Sequence, residues 1–170
     1  MTRPVVVLVG PPGAGKSTVG QVLAERLSVA LHDVDVAIEA AQGRTVSDIF
    51  VEDGEPAFRA LERAEVLRAL TEHEGVLALG GGAVMQPDVA TALQEGGHAV
   101  VFLDVTIADA SSRVGFDASR PLLLVNPRAA WTRLMNARRE TYETVSGTRV
   151  DTAGRTPEQV ADEVTAWLGR

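Results

Sequence analysis

Cysteine is absent from this chain of 170 residues, and lysine is represented only by Lys16 among 16 basic residues. The absence of cysteine excludes disulfides, thiol nucleophiles and thiolate metal sites. Because the other basic residues are all arginines, arginine has to make the remaining cationic contacts, and its planar two-donor fork suits carboxylates and phosphates. The N-K-x-D element with which GTPases read guanine would need a second lysine, so the composition argues against a GTP-driven switch.

Long apolar runs are also missing, and none approaches the roughly 18 residues of a membrane span. Residues 1–4 lead directly into an apolar stretch and leave no room for a signal peptide, so we expect a cytoplasmic protein. The net charge of −7 disfavours general binding to nucleic acid, whose phosphates are held by basic surfaces. With 45% apolar and 23% charged residues, we expect one globular domain over residues 1–170, and by default a monomer.

A glycine-rich segment, G-P-P-G-A-G-K-S at residues 10–17, follows the apolar run at 5–9 and matches the pattern G-x-x-x-x-G-K-[ST]. Apolar side chains at helical spacing after it predict an amphipathic helix. Between a strand and a helix, the backbone N–H groups of such a loop cradle phosphate, Lys16 reaches the β- and γ-phosphates, and the Ser17 hydroxyl ligates Mg²⁺. We therefore expect a nucleoside-triphosphate site that includes Gly13, Ala14, Gly15, Lys16, Ser17 and Thr18.

Two acids, Asp33 and Asp35, follow the next short apolar segment. Ligands bind at the carboxyl ends of parallel strands, so both carboxylates can face the phosphate site, although one of them could instead cap the helix predicted from Val36. A competing magnesium ligand is Asp104, which ends the apolar run 100–103 in the manner of a Walker B element. We favour Asp33, because its segment directly follows the first helix and contains two acids.

Three consecutive glycines, at 80–82, end a strand predicted at 76–79 and indicate backbone brought close to a ligand. Arg59 lies on a helix predicted to begin near residue 54. Its local pattern favours a solvated arginine paired with Glu55 or Glu62.

An irregular interval at about 113–126 precedes a long helix predicted at 127–145, and such an interval after nucleotide-site elements is typical of a mobile lid. Short apolar strands alternate with helices along the chain. This order predicts an α/β architecture with a parallel sheet and right-handed crossovers.

Seven segments, in their order and intervals, resemble shikimate kinase along nearly the whole chain. They are G-P-P-G-A-G-K-S, the D-V-D after the first helix, G-E-P-A-F-R-A-L-E, L-A-L-G-G-G-A-V, S-R-P-L-L, R-R-E-T-Y and R-V-D-T. The resemblance implies the nucleoside-monophosphate-kinase-like P-loop fold, with three layers, a five-stranded parallel sheet in the order 2-3-1-4-5 flanked by helices, and a mobile lid. It also implies ATP-dependent phosphorylation of the 3-hydroxyl of shikimate in chorismate biosynthesis, with Mg²⁺ as cofactor.

The same resemblance assigns roles to residues. It implies that Lys16 contacts the transferred phosphates, that Ser17 ligates Mg²⁺ and that Asp33 holds the metal through water. Asp35 would hold the substrate hydroxyls and orient or deprotonate the attacking one. The further implied contacts with substrate are Phe50, Phe58, Arg59, Gly80, Gly81, Gly82 and Arg138, and those with nucleotide are Arg113, Arg120 and Arg155, of which Arg120 is the lid arginine.

The resemblance reverses the local interpretation of Arg59, which with Arg138 and the backbone at Gly81 would bind the substrate carboxylate. The chain departs from the family in two places. The lid contains Phe116 and Asp117 where related sequences are richer in glycine. The family motif R-x-P-x-Y appears without its proline as R-R-E-T-Y at 138–142, where the spacing from Tyr142 selects Arg138 and leaves Arg139 as an alternative.

Two other functions stay open from the residues alone. Another small-metabolite kinase, such as a gluconate kinase, would keep the phosphate loop but would not need two separated carboxylate-binding arginines. An ATP-binding regulatory module would hydrolyse ATP only incidentally. Release of ADP, measured with and without shikimate, separates these functions from the one that the resemblance implies.

Overall fold

The structure is a computed structural model that describes residues 2–114 and 126–170, so Arg120 and most of the predicted lid lie outside the described residues. The strands are β1 (Val6–Val9), β2 (Leu31–Asp33), β3 (Val76–Ala78), β4 (Val100–Asp104) and β5 (Thr148–Asp151). The helices are α1 (Lys16–Leu27), α2 (Val34–Gln42), α3 (Val46–Asp53), α4 (Glu55–Glu72), α5 (Pro87–Glu95), α6 (Ile107–Val114), α7 (Pro127–Val145) and α8 (Pro157–Leu168), with a 3-10 turn at Ala83–Met85. Across these two ranges, no helix combines the length and the apolar character that crossing a bilayer requires.

The strands form one sheet in the order β2-β3-β1-β4-β5, and every neighbouring pair is parallel. This confirms the predicted fold class and strand order. Strand β1 is central, with Val7 opposite Leu77 of β3 on one side and Val100 of β4 on the other. All residues of β1 and β4 are buried, as expected for parallel strands that are covered on both faces.

The helices cover both faces of the sheet. The connection from β1 to β2 runs in one direction across the sheet, and the later connections run in the other. Right-handed crossovers therefore place α1 on one face and α4, α5 and α7 on the opposite face. The packing agrees, because α1 contacts α8, whereas α5 contacts both α4 and α7. The carboxyl ends of the strands, together with the loop before α1, meet along one edge.

Capping residues explain where several helices begin. The Thr45 side chain accepts a hydrogen bond from the Asp48 N–H at 3.0 Å and starts α3. Helix α7 spans Pro127–Val145, as predicted, with its proline in the first turn. Helix α2 begins at Val34 instead of Val36, because the Asp33 side chain caps it. Asp35 therefore lies in the first turn of a helix and not at a strand end, which corrects its predicted local setting.

Candidate active site

A cleft of about 590 Å³ lies at the carboxyl ends of β1, β2 and β3. It contains the glycine-rich loop, both acids of the D-V-D segment and part of the glycine triplet. Its lining comprises residues 12–19 with Asp33, Asp35, Leu79, Gly80, Gly81, Arg113, Thr152, Arg155, Pro157 and Val160. The predicted nucleotide residues within the described part of the chain thus lie around one cavity.

The loop between β1 and α1 needs glycine at two positions because other segments pack against it. Gly10 has a φ of 149°, and a Cβ there would lie 2.3 Å from the carbonyl oxygen of Leu103. Gly13 has a φ of 85°, and a Cβ there would lie 2.9 Å from the Cα of Ala110. These contacts hold the loop across the N-terminus of α1, where backbone N–H groups and the helix dipole favour an anion.

Lys16 folds back over this loop, where its Nζ donates to the carbonyl oxygens of Gly10 at 2.6 Å and Pro11 at 3.0 Å. The neighbouring Ser17 hydroxyl donates to Oδ2 of Asp33. The other oxygen of Asp33, Oδ1, accepts the N–H of Val36 at 3.3 Å. The Asp33 carboxylate therefore has two roles. One oxygen caps α2, and the other contacts Ser17 beside the phosphate loop.

The hydroxyl of Ser17 and the carboxylate of Asp33 are hard oxygen donors held in contact at the edge of the cleft. Magnesium prefers oxygen ligands and is usually held by one or two protein groups together with phosphate oxygens and water. This donor set fits a magnesium ion that arrives with ATP.

Gly80, the first residue of the glycine triplet, lies against two carboxylates. A Cβ on Gly80 would lie 3.1 Å from Oδ1 of Asp35 and 2.6 Å from Oε2 of Glu62. An alanine at this position would therefore push against both acids. The triplet allows Asp35 to approach the end of β3 closely, next to the phosphate loop.

The other two glycines of the triplet lie against arginines. A Cβ on Gly81 would lie 3.3 Å from an Nη of Arg138, and a Cβ on Gly82 would lie 2.7 Å from both Nη atoms of Arg59. Arg138 is only 7% exposed although it belongs to α7, which is distant in sequence from the triplet. The fold thus brings together two guanidinium groups that the sequence separates by almost eighty residues.

Arg59 makes the ion pairs that its local sequence predicts, with Glu62 at 2.7 Å and Glu55 at 3.3 Å. Burial would lower the pKa of Arg59, but these two carboxylates outweigh burial and raise the pKa above its usual value. The guanidinium carbon lies 5.4 Å from the ring centre of Phe58 and 6.0 Å from that of Phe50. These two rings contact each other with a centroid separation of 5.0 Å, so both lie beside the arginine, although neither is among the residues that line the cleft.

Arg113 and Arg155 approach the cleft from its other side. Nη1 of Arg113 donates to the carbonyl oxygens of Gly13 at 3.1 Å and Ala14 at 3.3 Å, and its Nη2 donates to that of Thr152 at 2.7 Å. Arg155 donates to the Asp151 carbonyl at 2.8 Å and pairs with Glu163 at 2.6 Å. Both arginines line the cavity beside the phosphate loop, as their predicted contact with nucleotide requires.

Three features of the site were not predicted from the sequence: the burial of Glu62 with its contact to Gln86, and two contacts made by α7. Glu62, 1% exposed, accepts hydrogen bonds from Arg59 and from Gln86, the latter at 3.2 Å. Trp131 of α7 donates its indole N–H to the Pro12 carbonyl at 2.9 Å. Tyr142 donates its hydroxyl to the Gly81 carbonyl at 2.5 Å. The spacing between Arg59 and Glu62 indicated only a surface ion pair, and no local pattern links α7 to loops more than fifty residues away.

Asp104 and Arg139, the two alternatives that the sequence left open, are bound to each other. Arg139 donates to both carboxylate oxygens of Asp104, at 2.9 and 3.1 Å, and Arg149 donates a third hydrogen bond at 2.8 Å. Burial would raise the pKa of Asp104, but the hydrogen bonds from both arginines outweigh it and hold the pKa below its usual value. Asp104 is not among the residues that line the cleft, whereas Asp33 is; of the two arginines, neither Arg138 nor Arg139 lines it.

Comparison with known proteins supports the same interpretation. The family model described as shikimate kinase matches residues 12–169. A shikimate kinase from Streptomyces avermitilis is 54% identical over 164 residues, which cover 96% of this chain and 95% of the relative. One from Thermobifida fusca is also 54% identical, over 161 residues that cover 95% of this chain and 92% of the relative.

Solved structures extend the likeness to three dimensions. A shikimate kinase from Acinetobacter baumannii, in complex with shikimate, superposes with a TM-score of 0.93 at 33% identity, and the match covers 99% of this chain and 94% of that one. A gluconokinase from Sinorhizobium meliloti has a TM-score of 0.59 at 21% identity and covers 97% and 91%, which shows a shared fold alone. On the family match, these identities and the assembled cleft, the chain belongs to the shikimate kinase family.

Proposed function

We propose that this chain transfers the γ-phosphoryl group of ATP to the 3-hydroxyl of shikimate and releases shikimate 3-phosphate and ADP, a step toward chorismate and the aromatic amino acids. The observation that supports it best is the pair of arginines, Arg59 and Arg138, against the glycine triplet beside the phosphate loop. A hydroxylated carboxylic acid is the kind of acceptor that such a pair suits, because a guanidinium fork matches a carboxylate.

On the nucleotide side, the phosphate loop binds the β- and γ-phosphates with its backbone N–H groups and with Lys16. Lys16 exchanges its contacts with the loop carbonyls for phosphate oxygens when ATP enters, a rotation that a flexible four-carbon side chain makes easily. Arg113 and Arg155 contact the rest of the nucleotide. Arg120, by family resemblance, adds a cation on the transferred phosphoryl group.

Ser17 and Asp33 would hold the magnesium ion that accompanies ATP. When bound, the ion neutralises the negative charge that spreads over the transferred phosphoryl group. The hydroxyl–carboxylate contact between these two residues keeps both oxygens oriented before the ion arrives.

On the acceptor side, Arg59 and Arg138 bind the carboxylate of shikimate together with the backbone at Gly81, and Phe50 and Phe58 contact the ring. Asp35 accepts a hydrogen bond from the 3-hydroxyl and so directs the hydroxyl oxygen at the γ-phosphate. It takes the hydroxyl proton as the bond between that oxygen and phosphorus forms. Its place in the first turn of α2, against Gly80, fixes its distance from the phosphate loop. Positioning of this kind accounts for most of the catalysis in phosphoryl transfer, because the protein makes no covalent bond to the substrate.

Three further properties belong to this proposal: residues 1–170 form a single kinase domain with a lid at about 113–126, the enzyme works as a monomer in the cytoplasm, and it does not bind nucleic acid. The net charge of −7 supports the last of these.

The test is release of ADP, measured with ATP and Mg²⁺ in the presence of shikimate, of gluconate or of no acceptor. We expect stimulation by shikimate alone.

Arg59→Lys and Arg59→Ala should both raise the KM for shikimate strongly, because an ammonium cannot replace a two-donor fork. Each loss should amount to about 2–5 kcal/mol, and combination with Arg138→Ala should cost less than the sum. Arg63→Lys is the matched control, since Arg63 lies one turn along α4 and pairs with Asp88 on the surface.

A shikimate analogue with a neutral amide in place of the carboxylate sharpens the test. Wild type should discriminate strongly against the amide, and the Arg59 and Arg138 variants much less. ADP release that shikimate does not stimulate, despite good ATP binding, would refute the proposed acceptor. An Arg59→Ala protein that melts at a lower temperature but keeps its shikimate KM would return Arg59 to the role of a helix-surface residue paired with Glu55.

A further inference from the structure

Asp104, at the carboxyl end of β4, is a buried acid that the reaction does not use. Its side chain is 6% exposed, and its carboxylate accepts hydrogen bonds from Arg139, from Arg149 and from the N–H of Val105 at 2.8 Å. Its own carbonyl accepts the N–H of Thr152, the residue directly after β5, at 2.9 Å. Asp104 is therefore a fixed point on the sheet.

Arg139 connects this fixed point to α7, and it is the residue directly after Arg138. Successive residues of a helix point about 100° apart, so the two arginines face different neighbours. Arg138 is buried beside Gly81, whereas Arg139 reaches Asp104 with both of its Nη atoms and keeps 41% of its side chain exposed. A contact that holds Arg139 on Asp104 also sets the rotation of the helix at Arg138.

A continuous set of packed groups also links the Asp104–Arg139 contact with Gly81. The guanidinium of Arg139 lies 5.7 Å from the ring centre of Phe102 on β4. That ring stacks on Tyr142 of α7, with centroids 5.1 Å apart, and the Tyr142 hydroxyl donates to the Gly81 carbonyl at 2.5 Å. Helix α7 is thus held against the sheet and against the glycine triplet by two residues, Arg139 and Tyr142, that follow Arg138 within about one turn.

We propose that Arg139 is a positioning residue whose two-donor contact with Asp104 aims the Arg138 guanidinium at the acceptor carboxylate beside Gly81. The proposal rests on the role of Arg138 in the proposed function. In this proposal the Walker B-like Asp104 holds helix α7 in place. Arg139, the second arginine of R-R-E-T-Y, orients Arg138 and does not contact substrate. A bidentate pair suits this role, because two parallel hydrogen bonds fix an angle as well as a distance.

The chain offers a matched pair of variants for the test, Arg139→Gln and Arg149→Gln. Both remove one arginine from the same carboxylate, and the two side chains are similarly exposed, 41% and 51%. Only Arg139 belongs to the helix of Arg138, since Arg149 lies on β5. We expect Arg139→Gln to raise the shikimate KM by about tenfold, with the ATP KM unchanged, while Arg149→Gln lowers the melting temperature without changing the shikimate KM.

Two further variants keep the test decisive. Arg139→Lys retains the positive charge and stability better but lacks the fork, so it should also raise the shikimate KM. Asp104→Asn should raise the shikimate KM as Arg139→Gln does, and the double variant should have a shikimate KM no higher than either single variant, because both substitutions break the contact between Asp104 and Arg139. An equal rise in shikimate KM for Arg139→Gln and Arg149→Gln, or no rise for the Arg139 variants, would overturn the proposal.

Other outcomes would give Asp104 or Arg139 a different role. An Asp104→Asn protein that needs more Mg²⁺ with an unchanged shikimate KM would place Asp104 in the metal site and overturn the proposal. Loss of discrimination against the amide analogue in Arg139→Lys but not in Arg138→Gln would place Arg139 on the carboxylate itself. Failure of the proposed function is separate, because it appears already as wild-type ADP release that shikimate does not stimulate. If wild type is active and Arg138→Gln raises the shikimate KM while Arg139→Gln does not, the positioning role alone is refuted.

Discussion

Gly82→Ala adds one methyl group to the acceptor side of the site and tests whether Arg59 binds substrate. Gly82 has a φ of −101°, which alanine adopts without strain, so the substitution should not disturb the backbone. The new Cβ would lie 2.7 Å from both Nη atoms of Arg59 and 2.8 Å from its central carbon. The collision therefore falls on the end of a long side chain, which can move away.

The size of the effect follows from how far the guanidinium has to move. It must withdraw by about 0.7 Å to restore ordinary van der Waals contact, which is enough to break the geometry of a short hydrogen bond. A hydrogen bond between charged groups contributes about 1.5–3 kcal/mol, so losing one to the shikimate carboxylate should raise the KM for shikimate about ten- to hundredfold. The free energy of unfolding should change by less than about 1 kcal/mol, because the loss of glycine also restricts the unfolded chain.

Steady-state ADP release and thermal melting, measured on the same preparations, check both parts of this prediction. Gly20→Ala is a suitable control, because its Cβ would press at 2.9 Å on the side-chain end of Leu31 and would meet Leu8 and Val76 at ordinary contact distances, none of which belongs to the glycine triplet. It should leave the shikimate KM unchanged. A Gly82→Ala enzyme with an unaltered shikimate KM, or with an equal rise in the KM for ATP, would refute the placement of the acceptor carboxylate at Arg59.

The acids and the single tyrosine give two further predictions. Asp35→Asn should lower kcat by about 10²- to 10⁴-fold with ATP binding retained, because Asp35 is proposed to face the acceptor. Asp33→Asn should instead raise the Mg²⁺ concentration needed for half-maximal rate. A kinetic titration of both variants with Mg²⁺ checks this, and a metal effect confined to Asp104→Asn would show the assignment to be wrong. Burial raises the pKa of Tyr142 from 10.0 to about 12, so its contribution to stability is complete below pH 10 and is lost as pH rises toward 12. Tyr142→Phe should therefore lose less unfolding free energy than wild type over that interval, as measured by denaturant melts, and a wild-type phenolate that titrates near pH 10 in the folded protein would contradict this.

The order of the elements could be predicted from the sequence because each strand and helix has its own apolar period, and the resemblance supplied the order of strands in the sheet. The boundary of α2 could not, because Asp33 both ends a strand and caps the helix, so the helix begins without an intervening turn. That boundary decides the local setting of Asp35.

The site was harder to predict where it depends on contacts across the fold. The glycine triplet was expected to make room for a ligand, and in the structure the space that side chains would fill is occupied by Arg59, Arg138 and two carboxylates. The contacts of Trp131 with Pro12 and of Tyr142 with Gly81 join segments whose separation in sequence hides them from any local pattern. The roles of these site residues in binding and catalysis stay predictions.

The strand order has a consequence for how an enzyme of this shape acquires a new substrate. β1, which leads into the phosphate loop, has β3 on one side and β4 with β5 on the other. One continuous stretch from α2 through the glycine triplet, residues 34–82, contains nearly all of the proposed acceptor contacts, whereas the proposed nucleotide contacts come from the phosphate loop after β1 and from the segments after β4 and β5. Mutations within that stretch can change the accepted alcohol while the machinery for ATP is left intact. Helix α7 is the exception, because its Arg138 comes from the later half of the chain but belongs to the proposed acceptor contacts. A change of acceptor acid would therefore also require substitutions on this helix.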